Sequence, residues 1–241
     1  MNYNLVTRKR NYTEFIHKPN RKKTKCENNS EEEENEEGGM PLELGLGGLN
    51  GLLGGKKAKD TKIDRVNNHI YFYSEVNRDS IYELGEQLKE AEEENKSLAF
   101  KMNIEPIPIY LHINSYGGCI FSAFNAVDMI KACSVPIYSI IEGCAASAGT
   151  IMSVCATKRF MRPNAYMLIH QLSSGCWGKM CEIEDEFENL KEFMDNITNI
   201  YRNHTSIPRK ELNELLKHDL WLNVDKCKKY KLVDELWEQL S

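Results

Sequence analysis

The chain has 241 residues, 41% of them hydrophobic, enough to bury one substantial core. No stretch approaches the roughly 18 consecutive apolar residues of a membrane span, no apolar signal-peptide core opens the chain, and a net charge of -5 argues against bulk attraction to nucleic acid. The eight cysteines form no C-x-x-C pair and fall mostly in apolar segments, so they read as reduced small hydrophobes of a reducing, cytoplasmic compartment, with neither a disulfide framework nor a zinc site.

Residues 1–62 differ in composition from the rest. A basic stretch, Arg8 to Arg10 and then Arg21 to Lys25, gives way to an acidic run from Glu31 to Glu37 and a Gly/Leu tract from Gly45 to Gly55. Such a segment buries too little apolar surface to offset its ordering entropy and is expected to be a disordered tail; its basic part is compatible with organelle targeting. Gly51 to Lys57 falls short of a phosphate-binding loop, because Asn50 stands where the first glycine is needed and Lys57 offers magnesium no hydroxyl.

From residue 63 strands and helices alternate, which predicts one α/β domain over 63–241. His69 to Tyr73 reads as the first strand. Ser80 and Glu83 suggest a capping box ahead of a helix striped with Ile81, Leu84, Leu88 and Ala91. Ile107 to Ile113 is the next strand and runs into Asn114-Ser-Tyr-Gly-Gly118, after which Phe121, Phe124, Val127 and Ile130 recur at helical spacing. Val135 to Ile141 is a third strand, leading through Gly143-Cys-Ala-Ala-Ser147-Ala-Gly149 into a helix with Ile151, Met152 and Cys155. Strand, glycine-rich turn and helix thus occur twice. Two such units side by side bring both turns to one sheet edge, where α/β proteins hold their sites. Tyr166 to Ile169 reads as a buried strand ending at His170. A long amphipathic helix, roughly Lys179 to Asn203, carries Met180, Ile183, Phe187, Leu190, Met194, Ile197 and Tyr201 on one face and Glu182, Glu184, Glu186 and Glu188 on the other. Its periodicity fits packing on its own domain and packing on another subunit equally well.

A serine hydroxyl is a poor nucleophile at neutral pH unless a base takes its proton. Ser147, hemmed in by alanine and glycine at a strand-to-helix junction, and His170, at the end of the following apolar strand, are therefore a candidate nucleophile and base. Backbone N–H groups at the start of the helix after Ser147 point outward. An α/β-hydrolase elbow would need glycine where Ala145 stands and an acid ahead of the histidine. A Ser–Lys dyad would have to draw on Lys158 or a more distant lysine.

Four ordered motifs carry a resemblance. Ile113-Asn-Ser-Tyr-Gly-Gly118, Gly143-Cys-Ala-Ala-Ser147-Ala-Gly149, Arg162-Pro-Asn-Ala-Tyr-Met-Leu-Ile-His170-Gln171, and His218-Asp219-Leu-Trp-Leu-Asn with Tyr230-Lys-Leu-Val-Asp234 together resemble the ClpP family of serine proteases over about residues 64–240. The resemblance implies a crotonase-like fold of stacked β-β-α units with the long helix as a protruding handle. It implies heptameric rings stacked as a tetradecamer around a chamber in which unfolded polypeptide is cleaved. It makes Ser147 the nucleophile, His170 the general base, Asp219 the orienting carboxylate, and the N–H groups of Gly118 and Ala148 the oxyanion hole. No metal or cofactor is implied; ATP is hydrolysed by a partner AAA+ unfoldase. Glycine at 118 lets the backbone turn its N–H toward an oxyanion without a side chain crowding the substrate. Asp225 and Asp234 compete with Asp219, since a carboxylate that orients a histidine is recognised by geometry.

The chain also departs from the family pattern. Tyr116 stands where proline is usual, and His218 where an arginine helps link the rings. His112 falls where an aromatic lines the surface pocket that docks the ATPase, although Tyr110 keeps its match. No pore loop is recognisable before residue 62. Three other readings share some of these features: a ring subunit that has lost activity, a crotonase-like acyl-CoA enzyme, and a scaffold whose tail binds partners.

Overall fold

The structure is a computed structural model and describes residues 63–238; the expected tail, residues 1–62, lies outside the described residues. A hairpin opens the described chain. Strands β1 (Ile63–Val66) and β2 (His69–Phe72) pair antiparallel across Asn67-Asn68, and Asn67 takes a left-handed φ of 56°, a conformation asparagine tolerates better than most residues. There follow α1 (Arg78–Met102), β3 (Ile109–Ser115), α2 (Ile120–Ala132), β4 (Ile137–Ala146), α3 (Ala148–Val154), β5 (Lys158–Met161) and β6 (Tyr166–Leu168). The chain then runs through α4 (Met180–His204), α5 (Arg209–Leu215), β7 (Trp221–Leu222), α6 (Val224–Lys229) and β8 (Glu235–Leu236).

The capping box at the head of α1 is Asn77 with Ser80, in place of the expected Ser80 with Glu83. Asn77 has the extended backbone of an N-cap, and its Oδ1 accepts from Ser80 N at 2.9 Å while Ser80 Oγ accepts from Asn77 N at 3.0 Å. Ser80 is already helical, so the apolar stripe begins one turn into the helix.

Strands β2, β3, β4, β5 and β8 run parallel in that order, with β1 on the outer edge of β2. The ten-residue β4 serves two neighbours. Its first half pairs with β5 through Tyr138–Ile141, and its last three residues, Cys144–Ala146, pair with β6. Gly143, at φ 70°, sits where one pairing ends and the other begins, a backbone conformation that favours glycine.

Alternation along the strands separates the two faces. Ile70, Phe72, Leu111, Ile113 and Ile141 are fully buried and belong to one apolar core with Leu84, Ala123, Val127 and Met152 of the helices. The opposite face is aromatic: His69 stacks on Tyr110 at 4.6 Å, Tyr71 on His112 at 4.4 Å, and Phe160 meets Trp237 edge-on at 5.0 Å.

The last strand is tied in by charge. Asp234 receives Arg159 Nη2 at 2.7 Å, Arg159 Nε at 3.1 Å and the Arg159 backbone N at 2.9 Å, and the same guanidinium also donates to the His204 carbonyl. Burial works to raise the Asp234 carboxyl, and its bonds to Arg159 outweigh that, holding it below its ordinary value. Replacing Asp234 by alanine leaves a mostly buried guanidinium unpaired. We expect a loss of about 2 kcal/mol in urea unfolding; an unchanged midpoint would contradict the role given to this pair.

Candidate active site

Both glycine-rich turns lie at the carboxyl ends of neighbouring parallel strands. Ser115 at the end of β3 registers with Ala145 of β4, so the turn Tyr116-Gly117-Gly118 and the junction at Ser147 are adjacent. Gly117 and Gly118 have φ of 96° and 146°. A side-chain carbon on Gly117 would come within 2.8 Å of the Ala146 carbonyl and of Ser147 Cβ, and one on Gly118 would collide with the Val76 carbonyl. Proline is absent from this turn, and Val76 holds it instead: Val76 N donates to Gly117 O at 2.8 Å and Val76 O accepts from Cys119 N at 2.7 Å.

Ser147 is half-buried and has φ 52° and ψ -122°. A non-glycine residue there carries about 1–3 kcal/mol of backbone strain. Its N–H donates to Leu168 O at 2.9 Å, continuing the β4–β6 pairing, and its carbonyl receives the first bonds of α3. This backbone state marks the point where the strand ends and the helix begins.

The β6–β7 pairing accounts for Asp219. Leu168 registers with Trp221 and Met167 with Leu222, so the antiparallel alignment carried two residues further sets His170 opposite Asp219. His170 Nδ1 and Asp219 Oδ1 are 2.9 Å apart. Of the competing carboxylates, Asp234 is engaged by Arg159 and Asp225 sits exposed in the first turn of α6. The His170 side chain is 28% exposed and that of Asp219 is 76% exposed. So open a carboxylate adds little by charge alone. Among the described residues no hydrogen bond joins Ser147 Oγ to His170.

Ser147, His170, Gly118 and Ala148 line one cleft, together with Ile120, Ile151, Leu172, Ile197 and Tyr201. Among the described residues the N–H groups of Gly118 and Ala148 donate to no backbone or side-chain acceptor, and both border the cleft. The arrangement offers a hydroxyl, an imidazole oriented by a carboxylate, two unspent backbone donors and an apolar wall. Nothing in the sequence marks these wall residues for the role: Ile151, Ile197 and Tyr201 belong to ordinary helical stripes, and Ile120 lies beside the stripe of α2.

His112 does not lie at the surface. It is 3% exposed, stacked beneath Tyr71, with Nε2 2.9 Å from His69 Nδ1 and Nδ1 3.1 Å from Glu142 Oε1. Glu142 also accepts from Arg162 Nε at 3.0 Å and from the Tyr73 hydroxyl. Burial lowers the pKa of His112 and of His69 below the ordinary 6.5, against the pull of Glu142. A histidine held neutral in this way stabilises the fold fully above pH 6.5, and that stabilisation is lost as pH falls from there through its lowered native pKa. The melting temperature is therefore expected to be lower at about pH 5.5 than at about pH 7.5. A melting temperature that holds or rises on acidification would contradict the network.

Helix α4 divides. Ile197, Ile200 and Tyr201 are buried in the core, whereas Met180, Ile183 and Phe187 in its first half are exposed. The apolar stripe thus packs on its own domain only in its carboxyl half.

Comparison with known proteins follows the same lines. A family model described as Clp protease matches residues 59–239. The ATP-dependent Clp protease proteolytic subunit 1 of Chlamydia caviae is 30% identical over 131 residues, 53% of this chain and 69% of that protein. The ATP-dependent Clp protease proteolytic subunit 2 of Treponema denticola is 34% identical over 131 residues, 54% of this chain and 66% of that protein. The chain thus spans about two thirds of the length of these relatives. A mutant ClpP1 from Listeria monocytogenes superposes with a TM-score of 0.62 at 27% identity, covering 72% of this chain and 93% of that one. The fold is accordingly the ClpP type of crotonase-like α/β fold, and the chain is a divergent member of the Clp protease family.

Proposed function

We propose that this Clp protease subunit is a serine endopeptidase that cleaves unfolded polypeptide through an acyl-enzyme on Ser147. The observation that carries the reading is the meeting in one cleft of Ser147, a His170 bonded to Asp219, and the backbone N–H groups of Gly118 and Ala148, which have no acceptor among the described residues. His170 takes the Ser147 proton as Oγ attacks the scissile carbonyl. The resulting oxyanion is received by the N–H groups of Gly118 and Ala148. The protonated imidazole then gives its proton to the leaving amine, and water repeats the sequence to release the acyl group. Asp219 fixes the ring so that Nε2 faces the serine. The apolar wall of Ile120, Ile151 and Ile197 suits an apolar side chain next to the scissile bond.

The open Ser147–His170 link and the exposed Asp219 carboxylate favour a site that closes on assembly, since catalytic hydrogen bonds commonly tighten only in the working complex. The exposed apolar half of α4 supplies a surface for that assembly, as stacked heptameric rings. The chain itself needs no cofactor; a partner AAA+ unfoldase hydrolyses ATP and delivers the polypeptide. An acyl-CoA enzyme of the same fold has no use for a histidine held by a carboxylate, which weighs against that alternative.

The purified full chain incubated with unfolded casein should release short peptides, and the products should disappear with His170→Ala. Casein left intact by a chain that sediments as a ring would overturn this reading in favour of an inactive ring subunit.

A further inference from the structure

We infer that Thr150 and Tyr201 are positioning residues for the oxyanion donor at Ala148, acting through the carbonyl of Ser147; the inference rests on the peptidase reading above. The Ser147 carbonyl and the Ala148 N–H belong to one peptide unit. The described chain contains no cis peptide bonds, so in this planar trans group the two point in opposite directions. Whatever draws the carbonyl inward turns the N–H outward, into the cleft. The strained backbone of Ser147 does not favour this orientation by itself, so it is imposed by the partners of the carbonyl.

Among the described residues those partners are three. Thr150 N donates at 2.9 Å and Ile151 N at 3.3 Å, the ordinary bonds of a first helical turn, and Thr150 Oγ1 adds a third bond at 2.6 Å. A threonine hydroxyl has one proton, and here it is spent on the Ser147 carbonyl. The contact between Thr150 Oγ1 and the Tyr201 hydroxyl at 2.5 Å therefore has Tyr201 as its donor. Tyr201 is 1% exposed, and among the described residues its hydroxyl has no other hydrogen-bond partner. Burial pushes the phenol pKa upward, which keeps it a donor across the working pH range.

The relay thus runs from Tyr201 O–H to Thr150 O–H to the Ser147 carbonyl, and through the peptide plane to the Ala148 N–H. It ties α4, whose Ile197 and Tyr201 also border the cleft, to the backbone that receives the oxyanion. If the hydroxyl pair served packing alone, its removal would alter stability and leave turnover untouched.

Thr150→Val and Tyr201→Phe delete the hydroxyls and keep the shapes, while Thr150→Ser keeps the hydroxyl. All three are compared with the wild-type full chain on a fluorogenic peptide, alongside thermal unfolding and the rate of fluorophosphonate labelling. Thr150→Val should lower kcat about tenfold, the worth of one hydrogen bond, with KM within about twofold of wild type. Tyr201→Phe should lower kcat by roughly threefold, since it loosens the relay one bond further away. Thr150→Ser should restore turnover. Wild-type kcat in Thr150→Val, or an equal loss in Thr150→Ser, overturns the positioning role alone. A wild type that neither cleaves peptide nor labels overturns the peptidase reading, and the positioning role with it.

Discussion

Replacing Ser147 by alanine is expected to lower peptide hydrolysis by about 10⁶-fold, the size of loss seen when the nucleophile of a serine protease is removed. The substitution deletes one oxygen and keeps Cβ, so the packing of the junction against Gly117 and the Leu168 carbonyl is retained. The φ of 52° costs alanine about as much as serine. The melting temperature should therefore stay close to wild type, and the affinity for an unfolded substrate should persist. Chemistry lost with fold and binding kept is the signature of a nucleophile. A folded Ser147→Ala chain that retains a tenth of wild-type kcat would assign the reaction to another group.

Gly118→Val should cost about 10²–10³-fold in kcat, the range for loss of an oxyanion donor. A φ of 146° is a backbone state that β-branched residues rarely adopt, and the new Cβ would run into the Val76 carbonyl that anchors the turn. Relief of that clash rotates the peptide and swings the Gly118 N–H out of the cleft. Gly118→Ala is the gentler companion, with the same collision at Cβ and no branch, and it distinguishes a redirected donor from a failure to fold. Full turnover in a folded Gly118→Ala chain would remove Gly118 from the oxyanion hole.

The repeated unit of strand, glycine turn and helix was legible because each part is local. The apolar runs of β3 and β4 and the stripes of α1, α2 and α4 lie in continuous sequence, and so do the two turns that meet at the sheet edge. Local pattern marks Asp219 only by its place before Leu220-Trp221-Leu222, which leaves Asp225 and Asp234 in competition. What distinguishes it is the register of Leu168 with Trp221, a pairing between segments of three and two residues that are too short to show a period. Strands β1, β5 and β8, of four, four and two residues, are too short to read in the same way, so His69 to Tyr73 reads as the first strand although β1 precedes it. The resemblance to the family places His112 at a surface pocket. Its burial comes from Tyr71 and His69 on the neighbouring strand, and from a carboxylate 30 residues away in Glu142. The bond between Thr150 and Tyr201 spans 51 residues and joins two side chains that each look like ordinary helix positions. Tertiary register, rather than propensity, decides all of these.

A fluorophosphonate, which reacts with an activated serine hydroxyl to leave a stable phosphonyl adduct, tests the central claim most directly. After the purified full chain is treated and digested, mass spectrometry should find the adduct on the peptide containing Ser147, with labelling abolished in His170→Ala and slowed in Asp219→Asn. An assembled, folded wild-type chain that remains unlabelled, or that carries the adduct on another serine, would contradict the account.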